Sequence, residues 1–290
     1  MNIVLLYLSP NKTTHKVSLA LARRLEQDGH SVSLLDAGKP GQRSPIEVDP
    51  CLFENADVIG VGSPVFNLRI LRPLKQYLRQ ALPHFSKDVK AFIYITYGGI
   101  TSGKAFLNAA SLLKQHKIPV VGGFKVRAPH FYSSESYPDA AALQTIDQFC
   151  AQVSANLFRA MPWPQVEQAF GYQGWKVRLI YPFAQIVGEL RRLPIHFDTQ
   201  RCLRCQRCIR ECPANALKMD DYPVLDKHKC VHCYHCATIC PQQAILCPTY
   251  KVEGMAKVNV KLLGHEQPQN AIYLLPPAGA VGSIGQRGYN

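Results

Sequence analysis

An α/β fold, a doubly wound five-stranded parallel sheet followed by a small α+β cysteine-rich domain, is the architecture this sequence predicts. Three observations carry that reading. Through the first 160 residues, short apolar runs that do not alternate with polar residues are separated by stretches of helical periodicity. Runs of that kind mark strands buried on both faces, which means parallel strands joined by crossover helices. Eight of the 11 cysteines then fall within residues 202–240. Finally, 290 residues suffice for about two domains.

Taken in order, Asn2–Leu8 is the first strand and Thr14–Asp28 the first helix, with Val17, Leu21 and Leu25 on one face. Ser31–Leu35, Val58–Val61 and Ala91–Thr96 are short apolar runs ending at turns, hence strands. Ile70–Leu82 and Gly103–His116 are the helices after the third and fourth strands, Ile118–Val126 is the fifth strand, and Ala140–Ala160 closes the unit. A doubly wound sheet binds ligands at the carboxyl ends of its strands. Residues 161–195 are punctuated by Pro162, Pro164, Gly171, Gly174 and Pro182 and read as a linker with one helix near Phe183–Arg192. Arg191 and Arg192 there complement the helix dipole. That helix is expected to pack between domains in preference to lying on a membrane. Residues 196–250 form the cysteine domain, and 251–290 read as a tail without a site signal.

Charge bears on partners, not on fold. With 33 basic and 20 acidic residues the net charge is +13, which suits an acidic protein, an anionic membrane surface or nucleic acid. No winged-helix, zinc-finger or aromatic RNA-binding pattern appears, so no specific nucleic acid is expected. Met1–Pro10 has neither a basic leader nor a small-residue cleavage site. No apolar run approaches the ~18 residues of a membrane span. A cytoplasmic setting is the expectation, with the cysteines as thiolates and not disulfides.

Cys202-x2-Cys205-x2-Cys208-x3-Cys212-Pro213 recurs 28 residues later as Cys230-x2-Cys233-x2-Cys236-x3-Cys240-Pro241, and the repeat extends to Ala216/Ala244 and Leu217/Ile245. Three thiolates at this spacing wrap three corners of one iron–sulfur cube, and the fourth, followed by Pro, is carried to the other cube. Two [4Fe–4S] clusters are therefore expected, with crossed ligation. Cys202, Cys205, Cys208 and Cys240 hold the first, and Cys230, Cys233, Cys236 and Cys212 the second. Zinc also uses CxxC pairs, but needs neither three evenly spaced cysteines nor a Cys-Pro, twice over. Eight thiolates for eight ligand positions leave no iron open for substrate. The segment resembles the bacterial two-cluster ferredoxins over about 55 residues. Arg201, Arg204, Arg207 and Arg210 interleave the first loop, where the second has His228, His232 and His235. Cations favour the reduced, more negative cluster, so the first is expected to have the higher potential unless solvent screens these arginines.

Three loops end strands on one edge of the N-terminal sheet. Ser9-Pro10-Asn11-Lys12-Thr13-Thr14 offers hydroxyls, an amide and backbone N–H groups at a helix mouth, suited to a phosphate or to an ordinary helix cap. Gly62–Asn67 ends the third strand and Tyr97–Gly103 the fourth, their small residues admitting a flat ring on which Phe66 or Tyr97 can stack. This arrangement resembles flavodoxin and, with the cysteine segment following, the ferredoxins that carry an N-terminal flavodoxin-like domain. The resemblance covers roughly residues 1–160 and 196–250. It implies FMN, with the phosphate at Ser9, Asn11, Thr13 and Thr14. The ring would lie against Ser63, Pro64, Val65, Phe66 and Asn67 and against the Tyr97–Gly103 loop with Gly98, Gly99 and Gly103. Two departures stand out: flavodoxin loops have Gly at the place of Lys12 and Thr at that of Asn11. Lys12 either helps neutralise the phosphate or narrows the loop against it. Gly98-x4-Gly103-Lys104 has the outline of a P-loop but carries Ala105 where a magnesium-binding Ser or Thr belongs.

Cys51, Cys150 and Cys247 read as unligated thiols, and the basic face Arg69, Arg72, Lys75 and Arg79 as a solvated surface or a docking site for an acidic redox protein. The resulting expectation is an iron–sulfur flavoprotein that relays electrons between clusters and flavin, within one chain or across a homodimer. The alternatives are a flavin-dependent reductase of a small molecule, with His130 or Tyr132 near the ring, and a redox sensor. No residue is singled out as catalytic.

Overall fold

Apolar side chains on both faces of the inner strands commit the chain to a sheet covered on two sides. In the computed structural model, which describes residues 1–130, 136–156 and 158–275, β1 (Asn2–Tyr7), β2 (Ser31–Asp36), β3 (Val58–Phe66), β4 (Lys90–Tyr97) and β5 (Val120–Arg127) form that sheet. They run parallel in the order 2-1-3-4-5, the flavodoxin-like winding, whose ligand crevice opens where β1 and β3 diverge. Ile3, Leu5, Tyr7, Phe92 and Tyr94 face one core, closed by Val17, Leu21 and Leu25 of α1 (Thr13–Gln27). Val4, Leu6, Ile59, Val61, Ile93 and Ile95 face the other, closed by Leu74 and Leu78 of α2 (Arg72–Ala81) and Phe106 and Leu113 of α3 (Ala105–Gln115). Phe149 and Val153 of α4 (Ala140–Ala155) complete the first core. Gly62 lets β3 pass the Tyr94 ring, which a Cβ would meet at 2.2 Å.

Two stretches depart from the expectation. The linker is helical through much of its length: α5 (Trp163–Phe170), α6 (Trp175–Ile180) and α7 (Ala184–Leu190) replace the one helix expected near Phe183–Arg192. Val166, Ala169 and Phe170 of α5 are buried in the sheet's second core, so the helix belongs to the sheet domain. Nor is 251–290 a mere tail. α8 (Tyr250–Leu263) leads into β6 (Ala271–Leu274), which pairs antiparallel with β5 and extends the sheet. The Tyr273 side chain is 2% exposed and meets Phe106, Phe170 and Tyr172 ring to ring.

The cysteine domain is thin. Two short antiparallel pairs, His196–Phe197 with Ile245–Leu246 and Leu217–Met219 with Pro223–Leu225, frame it. Its buried core cluster is Cys208, Leu217 and Ile245, with four of the partly buried neighbours being Cys212, Cys236, Cys240 and Leu225. So small an apolar interior does not offset the chain entropy of some 50 residues; such domains depend on metals or disulfides. All 11 cysteines are free of disulfides.

Removing the Tyr273 ring tests whether β6 is part of the cooperative core. Tyr273→Ala is expected to cost about 3–5 kcal/mol, as other buried aromatics do, read as a lowered urea midpoint. A loss below about 1 kcal/mol would detach the strand from the core.

Candidate functional site

The cysteine repeat is also a repeat of backbone conformation. Arg204, Gln206 and Asn215 have φ of 53°, 59° and 49°, and their counterparts His232, Tyr234 and Gln243 have 51°, 57° and 49°. Left-handed residues interrupting each loop turn successive N–H groups inward, forming the concavities that hold anionic groups, iron–sulfur sites among them. Cys202, Cys205, Cys208 and Cys240 line one hollow of about 420 Å³. Cys212, Cys230, Cys233 and Cys236 line a second of about 340 Å³. The N–H groups of Ala216 and Ala244 donate to Cys212 Sγ and Cys240 Sγ at 3.3 Å each, and that of His232 to Cys230 Sγ at 3.4 Å. Among the described residues no three His, Cys, Asp or Glu side chains close on the single point a lone ion needs; the sulfurs are spread around the hollows instead. Burial pushes the Cys208 thiol up to about 11 and the Cys236 thiol to about 12, with the neighbouring cysteines adding to both. Without iron these groups stay protonated, so metal binding and deprotonation are coupled.

The second cysteine loop docks on the sheet's ligand edge. Asn11 Nδ2 donates to the Cys233 carbonyl at 3.3 Å, Arg72 to the His228 carbonyl, and Arg43 to Asn215 and the Arg210 carbonyl. Two of the four residues read as a basic face are thereby engaged within the chain, since Arg69 lies 4.3 Å over the Tyr181 ring. A cleft of about 1000 Å³ opens beside this junction, lined by Ser9, Asn11, Thr13, Phe66, Tyr97, Gly98 and, from the cysteine loop, His232 and Tyr234. It continues into a space of about 1380 Å³ bounded by Ile180, Val187, Met255, Arg191 and Arg192, and also by Val231. Val231 and Tyr234 line both this space and the second cysteine hollow. One layer of protein separates the two. Burial, with the Arg192 charge, pushes His232 down to about 4.

Most of the expected flavin residues line this cleft, but Lys12, Ser63, Gly99 and Gly103 do not, and the side chains divide the work differently from the expectation. Lys12 adopts φ 61°, the left-handed backbone that glycine adopts without steric cost. Ser9 Oγ accepts the His15 N–H at 2.9 Å, capping α1, and Thr13 lines the cleft. The Thr14 hydroxyl is buried and bonded to Thr96 Oγ1 at 2.8 Å, leaving its backbone to face the loop. Ser63 is likewise buried, donating to the Pro64 carbonyl and accepting from Leu71 N at 3.3 Å. It holds the turn through Asn67 and Leu68, both at positive φ, that leaves Pro64, Val65 and Phe66 half-buried along the cleft. Tyr97 is 3% exposed and donates to the Gln269 carbonyl at 2.7 Å, so Phe66 is the ring-stacking candidate. Gly98 lies against the His130 ring, 2.4 Å from where a Cβ would stand. Gly99 and Gly103 have φ of +80° and +56°. Lys104 sits 4.4 Å over the Tyr181 ring, directed at the helical linker and not at a phosphate. Tyr132 lies outside the described residues.

One group went unread in the sequence. Glu266, past the end of α8, accepts from Ser102 N at 2.7 Å, Tyr172 Oη at 2.8 Å and Gln173 Nε2 at 3.4 Å, and pairs with Lys125, whose side chain is fully buried. Burial raises the Glu266 carboxyl, but Lys125 and these donors more than offset it and hold it below the ordinary value. Its own N–H donates to the Gly99 carbonyl at 3.1 Å, strapping the ring loop to the C-terminal segment. A lysine inside the apolar run Val120–Val126 was the available signal, because a buried charge requires a partner.

Residues 192–245 match the 4Fe–4S dicluster domain family. No curated protein matches the chain. Among solved structures, a flavodoxin from the domain Archaea is 17% identical, with 55% of this chain and 100% of that one aligned at a TM-score of 0.44. The WrbA-like flavodoxin protein of Agrobacterium tumefaciens is 20% identical over 55% of this chain and 97% of its own, TM-score 0.39. Rubredoxin oxygen:oxidoreductase of Desulfovibrio gigas is 19% identical over 54% of this chain and 36% of its own, TM-score 0.42.

Two variants probe the geometry of the cleft. Lys12→Gly relieves the left-handed backbone and is expected to raise stability by about 1 kcal/mol, read from thermal midpoints. A loss would mean the lysine side chain holds the loop. Glu266→Leu strands a buried lysine and is expected to cost about 3–5 kcal/mol, whereas the double variant Lys125→Met/Glu266→Leu costs less than the single; additive losses would contradict the pairing.

Proposed function

We propose that this chain, a flavodoxin-like sheet domain joined to a 4Fe–4S dicluster domain, is an electron-transfer protein with two [4Fe–4S] clusters and one FMN on either side of a single internal junction. The observation that carries this reading is the placement of the cysteines, four around each hollow, with the second hollow sharing Val231 and Tyr234 with the ring cleft. Cys202, Cys205, Cys208 and Cys240 hold the first cluster, and Cys212, Cys230, Cys233 and Cys236 the second. When bound, the clusters supply one-electron storage and the flavin exchanges electrons singly or in pairs.

The chain's own residues bind, orient and shield. Backbone N–H groups of Asn11, Thr13 and Thr14 and the positive end of α1 receive a phosphate; the Lys12 N–H is held by the Ser9 carbonyl. Phe66 covers one face of the ring, Gly98 lets the backbone approach it, and the Glu266 strap fixes the 98–103 loop. The N–H···S bonds from Ala216, Ala244 and His232 stabilise the more negative state of each site. The extension of the cleft past Asn67 to Met255 and Arg191 favours one second reading, reduction of a small molecule at the ring, because it offers room that a carrier does not need. Turnover that saturates with a particular acceptor distinguishes this from indiscriminate reduction of artificial acceptors.

Composition and ligand pairing are both measurable. Anaerobically purified protein is expected to contain about eight iron, eight sulfide and one FMN per chain; iron without flavin would end the relay reading. Serine replacements test the crossing. Cys240→Ser should leave the same residual cluster spectrum as Cys202→Ser, and Cys212→Ser the same as Cys230→Ser. If Cys240→Ser instead matches Cys230→Ser, each loop keeps its own fourth cysteine.

A further inference from the structure

The stretch Trp175–Leu190, made of α6, the 3-10 turn Tyr181–Phe183 and α7, turns a row of apolar side chains to solvent. Trp175 is 71% exposed, Leu179 63%, Phe183 59%, Ile186 60% and Leu190 82%. Their spacing of four, four, three and four residues follows one face of a helix. The opposite face is already used: Val177 and Ala184 are buried, and Ile180 and Val187 line the ring cleft. The inner face packs toward the junction, Gly188 against Asn67 and Leu193 N donating to Tyr234 Oη at 3.1 Å, while the outward row of large apolar residues has no partner among the described residues. α8 stands alongside, joined by the 2.8 Å bond from Arg191 Nη1 to Asn259 Oδ1. It has no buried residue, and its Tyr250, Val258 and Leu262 are exposed as well.

The charges around this surface are predominantly basic. Lys176, Arg178 and Arg191 are exposed along the first stretch, and Lys251, Lys257 and Lys261 along α8. Of the acidic residues on these elements, Glu189 is paired with Arg192 and Glu253 with Lys257. Among the described residues no helix is long and apolar enough to cross a membrane. An apolar face of Trp, Phe, Leu and Ile edged by Lys and Arg is the composition of a helix that lies in a bilayer interface. It combines the two weak signals, shallow apolar insertion and attraction to anionic headgroups, that together give stable peripheral attachment.

We infer that this chain docks on an anionic lipid surface through the Trp175–Leu190 face, with the basic edge of α8 alongside. A second copy is a poorer occupant, because the basic flanks of two chains, each of net charge +13, would oppose each other. Docking holds the ring cleft about one helix diameter, ~10–12 Å, from the lipid, because the inner side of the same helices forms its wall. The inference concerns the outer face alone and stands whether or not the cleft holds flavin.

Co-sedimentation of the full chain with phosphatidylcholine–phosphatidylglycerol vesicles tests it. Binding is expected at low salt, with little to pure phosphatidylcholine and release at high salt. Phe183→Glu and Leu190→Glu, both at exposed positions, should each weaken partition about tenfold or more while iron content and circular dichroism stay unchanged. In the Trp163→Phe background the remaining tryptophan, Trp175, should shift its emission to shorter wavelength when the anionic vesicles are added. No binding to either vesicle, or binding that the two glutamate variants leave intact, overturns the inference. So does a concentration-dependent dimer that forms without lipid and is lost in Phe183→Glu, which would assign the face to a second copy.

Discussion

The two parts of the molecule meet where the second cysteine loop seats against the mouth of α1 and Asn11 reaches the Cys233 carbonyl, and the arrangement of the clefts and hollows follows from that seating. One residue of the loop between β1 and α1 touches one residue of the cysteine hollow, and the cleft opens beside them. A loop with ordinary flavodoxin chemistry would carry Thr where Asn11 stands. The Asn11 amide spans the junction. Arg72 and Arg43 clamp the junction from either side, and the helical linker and α8 wall the cleft.

The cysteine domain contributes little stability of its own. Its few buried apolar side chains surround two hollows, so folding of this part and filling of those hollows are one event. The sheet domain, by contrast, has two full cores. That asymmetry makes sense of the interface: a rigid sheet presents its ligand edge, and the less self-sufficient partner is held in place by hydrogen bonds to backbone carbonyls.

Much of this was legible in the sequence, for reasons that can be named. The inner strands were readable because burial on both faces writes a largely apolar run into each, and the hollows because the 28-residue repeat keeps the cysteines in phase with the left-handed turns that shape them. What was missed depends on contacts between distant residues. β6 is a four-residue strand whose partner, β5, lies about 150 positions earlier, too far apart for any local pattern. Glu266 and Lys125 form one site only after that strand is in place. The hydroxyls of Thr14 and Ser63 were read as facing a ligand, yet both are buried and bonded within the chain, since a sequence shows a hydroxyl and not the Thr96 or Leu71 it faces. The linker's apolar residues were visible; that they turn outward was not, because helical spacing fixes a face and not which way it looks.

The most direct test of the central claim, that clusters and flavin exchange electrons across this junction inside one chain, is the rate of flavin reduction after rapid mixing with a one-electron donor that loads the clusters, followed over a wide range of protein concentration. A first-order rate independent of concentration is the result predicted. A rate that rises in proportion to concentration would mean that the electrons travel between molecules, and that the Asn11–Cys233 junction is not their path.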